Sequence, residues 1–131
     1  MRRCRELAEQ ARSQSDAPVG AVIVRAGEIL AEGVEQVRAG RDLTAHAEMI
    51  ALHHACERLG TTDLSDCALC TNVEPCWMCS YLIREAGIPT VVIGVPVADI
   101  GGLTSRFPLL SDDRIEGWGP PPIILWVDLA D

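Results

Sequence analysis

One imidazole, two thiols and a carboxyl group stand at spacings that suit a hydrolytic metal site. His46 and Glu48 flank Ala47, and Pro75-Cys76-Trp77-Met78-Cys79 follows after a strand-like segment. His46, Cys76 and Cys79 are three zinc ligands, and a zinc held by three protein side chains keeps its fourth position for water. Glu48 then supplies a group to carry that water's protons. Cys76 and Cys79 are three apart, so on a helix they project from one face and reach one ion. Pro75 is a good helix starter. The free N–H groups and positive dipole end of that helix favour thiolate over thiol, the form zinc needs. With His46 near the start of a neighbouring helix, two helix N-termini meeting on one side of a sheet build the site.

Each residue also has a plainer use. The cysteines could be small buried side chains and His46 a helix cap. Cys67-x-x-Cys70 with Cys76-x-x-Cys79 is a second arrangement, a four-cysteine structural zinc site. Cys67 and Cys70 fall in a strand-like run, where residues three apart point to opposite faces, which opposes that arrangement. Glu48 alone would read as a first-turn glutamate favoured by the helix dipole. His53 and His54 lie further along the helix as surface or packing residues. Trp77 either stacks on a flat base, as aromatic side chains do, or packs in the core. Trp118 either closes over the pocket or caps the sheet.

The elements that must position these groups follow from periodicity and punctuation. Leu7, Ala8 and Ala11 mark an amphipathic helix ending before Asp16-Ala17-Pro18. Residues 19–24 form an apolar strand, and Arg25-Ala26-Gly27-Glu28 turns into a second strand over 29–37, a hairpin. After a loop at 39–42, Thr44 caps a helix carrying His46 and Glu48. Met49, Leu52, Ala55, Cys56 and Leu59 face the core at helical spacing, and Gly60 stops that helix. Residues 67–72 are a strand, 76–86 a core helix closed by Gly87, and 88–95 a β-branched strand. Residues 101–122 are irregular, with one helical turn near 106–110, and 123–127 form a last strand. Alternating strands and helices predict an α/β sandwich.

The 131 residues suit one domain, 1–131. Hydrophobic residues make up 48% and charged residues 23%, the balance of a globular chain. No apolar run approaches the roughly 20 residues that span a bilayer, so no membrane partner is expected. Polar residues follow Met1-Arg2-Arg3 where a signal peptide needs an apolar block. A cytoplasmic location is expected, and Cys4, Cys56, Cys67 and Cys70 as reduced, buried thiols agree with it. Net charge is −8, which opposes nucleic acid, although Arg2, Arg3, Arg5 and Arg12 offer a local basic patch.

The paired signature H-x-E…P-C-x-x-C is that of the zinc deaminases of nucleobases. Adding Ala17-Pro18-Val19-Gly20-Ala21, Thr44-Ala45-His46-Ala47-Glu48-Met49, Glu74-Pro75-Cys76 and Gly87-Ile88, the chain resembles the cytidine deaminase-like superfamily up to about Asp113. Within it, the resemblance is to the group of tRNA adenosine, cytosine and guanine deaminases. It implies a three-layer α/β/α sandwich around a mixed five-stranded sheet, and a homodimer. It also implies Zn²⁺ on His46, Cys76 and Cys79, and proton transfer by Glu48. The backbone N–H of Ala47 and a backbone carbonyl around Glu74 would contact substrate.

Two departures bear on the substrate. Where the tRNA and cytosine enzymes carry an asparagine after the second strand, Glu35 or Gln36 stands here. Glu35 as an acceptor prefers a donor N–H on the base; otherwise it is a solvated strand-end glutamate. Gly117-Trp118-Gly119-Pro120-Pro121-Pro122 replaces an Asn-His-Arg-type segment, and no basic closing helix precedes Asp131; both weigh against the tRNA enzymes, the alternative being a terminal helix outside these 131 residues. The expected function is zinc-dependent deamination of a small base or nucleoside with release of ammonia. Adenosine deamination in tRNA stands second, and a zinc-stabilised binding module without catalysis third.

Overall fold

Residues 1–129 are described by a computed structural model. The elements are α1 (Arg2–Ser13), β1 (Gly20–Arg25), β2 (Glu28–Val34), α2 (Ala47–Leu59), β3 (Cys67–Val73), α3 (Trp77–Ala86), β4 (Thr90–Val95) and β5 (Ile123–Trp126). They build one mixed sheet in the order β2-β1-β3-β4-β5. β1 runs antiparallel to both neighbours, while β3, β4 and β5 run parallel.

Alternation along β1 sorts the layers. Ala21 and Ile23 point into the larger core with Leu69, Val91 and Ile93 of the sheet, Leu52 and Ala55 of α2, and Ile83 of α3. Val22 points the other way, onto Cys4 and Leu7 of α1. The result is the expected three-layer sandwich, with α1 on one face and α2 and α3 on the other.

Because β2 and β3 run the same way, the helices that follow them begin at the same end of the sheet, and that end holds the site. Gly33 in β2 makes the close approach possible. A Cβ there would stand 1.9 Å from the Ala47 carbonyl oxygen, so only glycine lets the first turn of α2 lie on the strand.

Several boundaries differ from expectation for local reasons. β2 ends at Val34, not 37, because the following N–H groups find partners off the sheet. Gln36 N–H donates to the Ala45 carbonyl at 3.0 Å. The Asp16 carboxylate takes the N–H groups of Arg38 and Ala39 at 2.7 and 3.0 Å. Thr44 does not cap α2: its hydroxyl donates to Asp42 at 2.7 Å, and His46 occupies the cap position. Instead of a helical turn at 106–110, a turn closes between the Pro108 carbonyl and the Ser111 N–H at 3.1 Å. Met49, Cys56 and Leu59 are half-buried, whereas Leu52 and Ala55 are buried.

Candidate metal centre and active site

His46 and Cys76 are the N-cap residues of α2 and α3, both extended at ψ 149 and 178. Cys79 lies one turn into α3 and is fully buried. Cys76 Sγ is 3.5 Å and Cys79 Sγ 3.8 Å from His46 Nδ1. Bonds of about 2.0–2.3 Å in a tetrahedron set zinc's donors roughly 3.5–3.8 Å apart, so this donor set fits zinc in both chemistry and spacing. Donor atoms of His46, Cys76 and Cys79 all lie within 4.8 Å of one another. Cys67 belongs to the core under α2 and α3, while Cys70 packs against the α1 cluster. They face opposite sides of the sheet, which excludes the four-cysteine site.

Electrostatics favour a cation here. Cys76 is held far below the ordinary thiol range, at about 4, chiefly by the hydrogen bond from Cys79; burial opposes this and His46 adds to it. Cys79 is pushed up by giving that bond, by burial and by the charge of Glu48. One sulfur therefore carries the charge, and a divalent ion would draw the proton from the other. His46 is raised to about 9, first by its bond with Cys76.

Glu48 sits in the first turn of α2, 4% exposed, with Oε2 accepting from Cys79 Sγ at 3.7 Å. Burial pushes its carboxyl up to about 7, with the charges of Glu35 and Cys76 adding to the effect. A buried carboxyl that exchanges its proton near neutrality is what a shuttle requires.

Glu35 is buried, not a solvated strand-end residue. Its Oε1 accepts the Ala47 N–H at 2.7 Å. The Ala47 amide, expected to face substrate directly, is therefore occupied by Glu35. Donor atoms of Glu35, His46 and Glu48 also lie within 4.8 Å of one another. Burial raises the Glu35 carboxyl, against the Ala47 bond that lowers it.

The side chain of Glu74 does work that sequence reasoning missed. Its oxygens accept the N–H groups of Val97, Leu103 and Thr104 at 2.9–3.0 Å and the Thr104 hydroxyl at 2.6 Å. Burial pushes this carboxyl up, but those four donors outweigh it and the net shift is down. The loop so held returns over the ligands: Gly101 bridges to Cys76, and Gly102 N–H donates to the Pro75 carbonyl at 2.8 Å. Only the Gly-Gly pair at 101–102 hinted at so tight a return.

Trp77 is 37% exposed, donates from Nε1 to Ser105 Oγ at 3.0 Å and meets the edge of Phe107 at 5.6 Å. Trp118 does not close over the pocket. It packs on the far turns of α3, against Tyr81, with Nε1 donating to Glu85 at 2.8 Å and Arg84 over its ring. His53 pairs with Glu57 at 3.2 Å on the exposed side of α2. An apolar groove of about 500 Å³ lies between α2 and α3 along Leu52, Cys56 and Tyr81, outside the metal cluster.

A mixed sheet that brings two helix N-termini together around one imidazole, two sulfurs and a buried carboxyl defines a zinc hydrolase of carbon–nitrogen bonds. Residues 1–95 match the cytidine and deoxycytidylate deaminase zinc-binding region, and the chain belongs to that family. A tRNA-specific adenosine deaminase of Aquifex aeolicus is 40% identical over 108 residues, covering 82% of this chain and 72% of that protein. The chain spans less than two thirds of the length of several other curated relatives. A structure from work on A-to-I editing by tRNA:A34 deaminases aligns with a TM-score of 0.86 at 29% identity, covering 95% of this chain and 93% of that one. Guanine deaminase of Bacillus subtilis aligns with a TM-score of 0.70 at 41% identity, over 72% and 61%. No helix of the described residues is long and apolar enough to cross a membrane.

Proposed function

We propose that this chain converts adenosine in a tRNA to inosine, replacing the exocyclic amine by oxygen and releasing ammonia. The observation that carries the chemistry is Glu48, buried against Cys79 beside the three zinc donors. The relatives and structures named above move the substrate from a small base or nucleoside toward adenosine in RNA.

His46, Cys76 and Cys79 hold the metal, and zinc, when bound, brings the pKa of water down to about 7. Glu48 takes a proton from the attacking water and delivers it to N1 of the purine. It then carries a proton to the departing amine, so water and adenosine give inosine and ammonia in balance. Glu35 Oε2 accepts a donor N–H or O–H from the base or sugar, while Oε1 stays on Ala47, which thus serves recognition through Glu35. The Glu74 side chain is fully engaged with its loop, leaving its backbone carbonyl as the group that meets substrate. Trp77 presents its exposed face to a base. The protein acts as a homodimer, and residues 1–131 form one deaminase domain in a cytoplasmic setting.

A free base such as guanine is the second reading, favoured by the likeness to guanine deaminase and by Glu35 in the place of asparagine. The zinc-loaded protein, given an unmodified tRNA with an adenosine in its anticodon loop, is expected to form inosine. Ammonia from free guanine or cytosine, with no inosine in RNA, would transfer the assignment to the second reading.

A further inference from the structure

The loop between β2 and α2 carries Glu35 at one end and His46 at the other, yet hydrophobic burial does not hold it. Every residue from Arg38 to Thr44 is exposed, Leu43 by 85%. A segment without buried side chains opens easily unless its backbone is tied down. Several bonds close this loop on itself. Gln36 N–H donates to the Ala45 carbonyl at 3.0 Å, Gly40 N–H to the Gln36 carbonyl at 2.7 Å and Asp42 N–H to the Val37 carbonyl at 3.1 Å. Ties to the rest of the molecule come from the segment between α1 and β1. There the Val19 carbonyl takes the Glu35 N–H at 3.1 Å, and Asp16 takes Arg38 and Ala39.

Asp16 is 7% exposed, and its two oxygens accept the backbone N–H groups of those consecutive residues at 2.7 and 3.0 Å. Such charge-assisted bonds are about twice as strong as neutral ones. The chain accepts strain to aim this carboxylate. Ser15 takes φ 62, in the left-handed region, and its turn returns the Asp16 N–H to the Ala11 carbonyl at 3.0 Å. Arg41, in the captured loop, takes φ 51. Non-glycine residues persist in that region when their surroundings over-determine them. Glu35 lies within electrostatic reach of Asp16: burial raises the Glu35 carboxyl first, and the Asp16 charge raises it further.

We infer that Asp16 is a positioning residue, fixing the loop so that Glu35 stays on the Ala47 amide, between the metal ligand His46 and the proton carrier Glu48. The path has three links. Asp16 holds Arg38 and Ala39, the loop and Val19 hold the Glu35 backbone, and Glu35 Oε1 holds the Ala47 N–H at 2.7 Å. Without Asp16 two N–H groups lose their acceptor and the loop swings, carrying Glu35 off Ala47. The kinetic consequence rests on the reading of Glu35 as the group that recognises substrate, whereas the anchoring does not.

The test uses the zinc-loaded full chain, isotope-labelled for NMR, with two readouts. One is amide hydrogen exchange at Ala47, and the other is the rate of inosine formation in an RNA hairpin with an adenosine in its loop. Asp16→Ala should speed exchange about tenfold or more at Ala47, and not only at Arg38 and Ala39, which lose their bonds directly. KM should rise about tenfold while kcat falls less, with zinc retained. Asp16→Asn, which keeps one acceptor oxygen, should fall between. Adding Asp16→Ala to Glu35→Ala should leave KM where Glu35→Ala alone puts it, because residues on one path are not additive.

Arg84→Gln is the comparison for a merely structural anchor. Arg84 is buried and donates to the Leu109, Asp112 and Gly119 carbonyls, away from the loop. Its loss should lower Tm without changing exchange at Ala47 or KM. Wild-type protection of Ala47 in Asp16→Ala, or equal acceleration in Arg84→Gln, overturns the inference and leaves the proposed function standing. Accelerated exchange at Ala47 in Asp16→Ala, where the wild type forms no inosine, overturns the proposed function and leaves Asp16 as the anchor of Glu35.

Discussion

A carboxyl group near pH 7 is useful only where a proton must be both taken and returned, and Glu48 is buried enough to be one. His46, Glu48, Cys76 and Cys79 were legible in the sequence because their roles depend on short spacings, two residues and three, that a helix start converts directly into geometry. Glu35 was half-legible. Its place after the second strand was visible, but its burial and its bond to Ala47 arise only when α2 docks on β2. If Glu35 holds the substrate through the oxygen left free by Ala47, Glu35→Gln should raise KM for RNA about tenfold or more while kcat falls less. Glu35→Ala, which also frees the Ala47 amide, should do worse on both. Steady-state kinetics with zinc content checked separate the two, and an unchanged KM in Glu35→Gln would remove Glu35 from recognition.

At the scale of elements, both helix N-termini owe their position to contacts far away in sequence. The order of helices and strands was readable from periodicity and from Gly60 and Gly87, which close α2 and α3 in left-handed conformations. The fine ends were not. β2 stops early because Asp16, just before the start of β1, captures N–H groups of the next loop. The return of residues 97–104 onto Cys76 depends on one buried side chain, Glu74, and no periodicity reports that. Removing it strands three backbone donors and a hydroxyl, each costing about 1–3 kcal/mol if left unpaired. Glu74→Ala should therefore lower Tm sharply and loosen the metal, with zinc lost to a mild chelator sooner than from wild type. Glu74→Gln, which keeps one acceptor oxygen, should fall between. Wild-type Tm and zinc retention in Glu74→Ala would show that the loop is held by other means.

Across the whole molecule, the distribution of charge matters more than its sum. The −8 balance argued against nucleic acid when counted along the chain, but the fold pairs acids of α1, of β2 and of the turn before β3 with nearby arginines, so the sum does not describe the surface. Linear sequence could not show this, because pairs such as Arg3–Glu32 and Arg25–Asp66 join residues distant in the chain. The fold class was readable because hydrophobic alternation and helix spacing are local, whereas the electrostatic surface is a property of the closed structure.

Ammonia release and zinc content, determined on one preparation of wild type and of Glu48→Gln, address the catalytic assignment most directly. Wild type should carry one zinc per chain and release ammonia from its substrate. Glu48→Gln should keep the zinc, because Glu48 is not one of the three donors, and lose about 10²–10⁴-fold in rate. Undiminished ammonia release from that variant, or loss of its zinc together with its activity, would contradict a buried carboxyl moving protons beside a metal held by His46, Cys76 and Cys79.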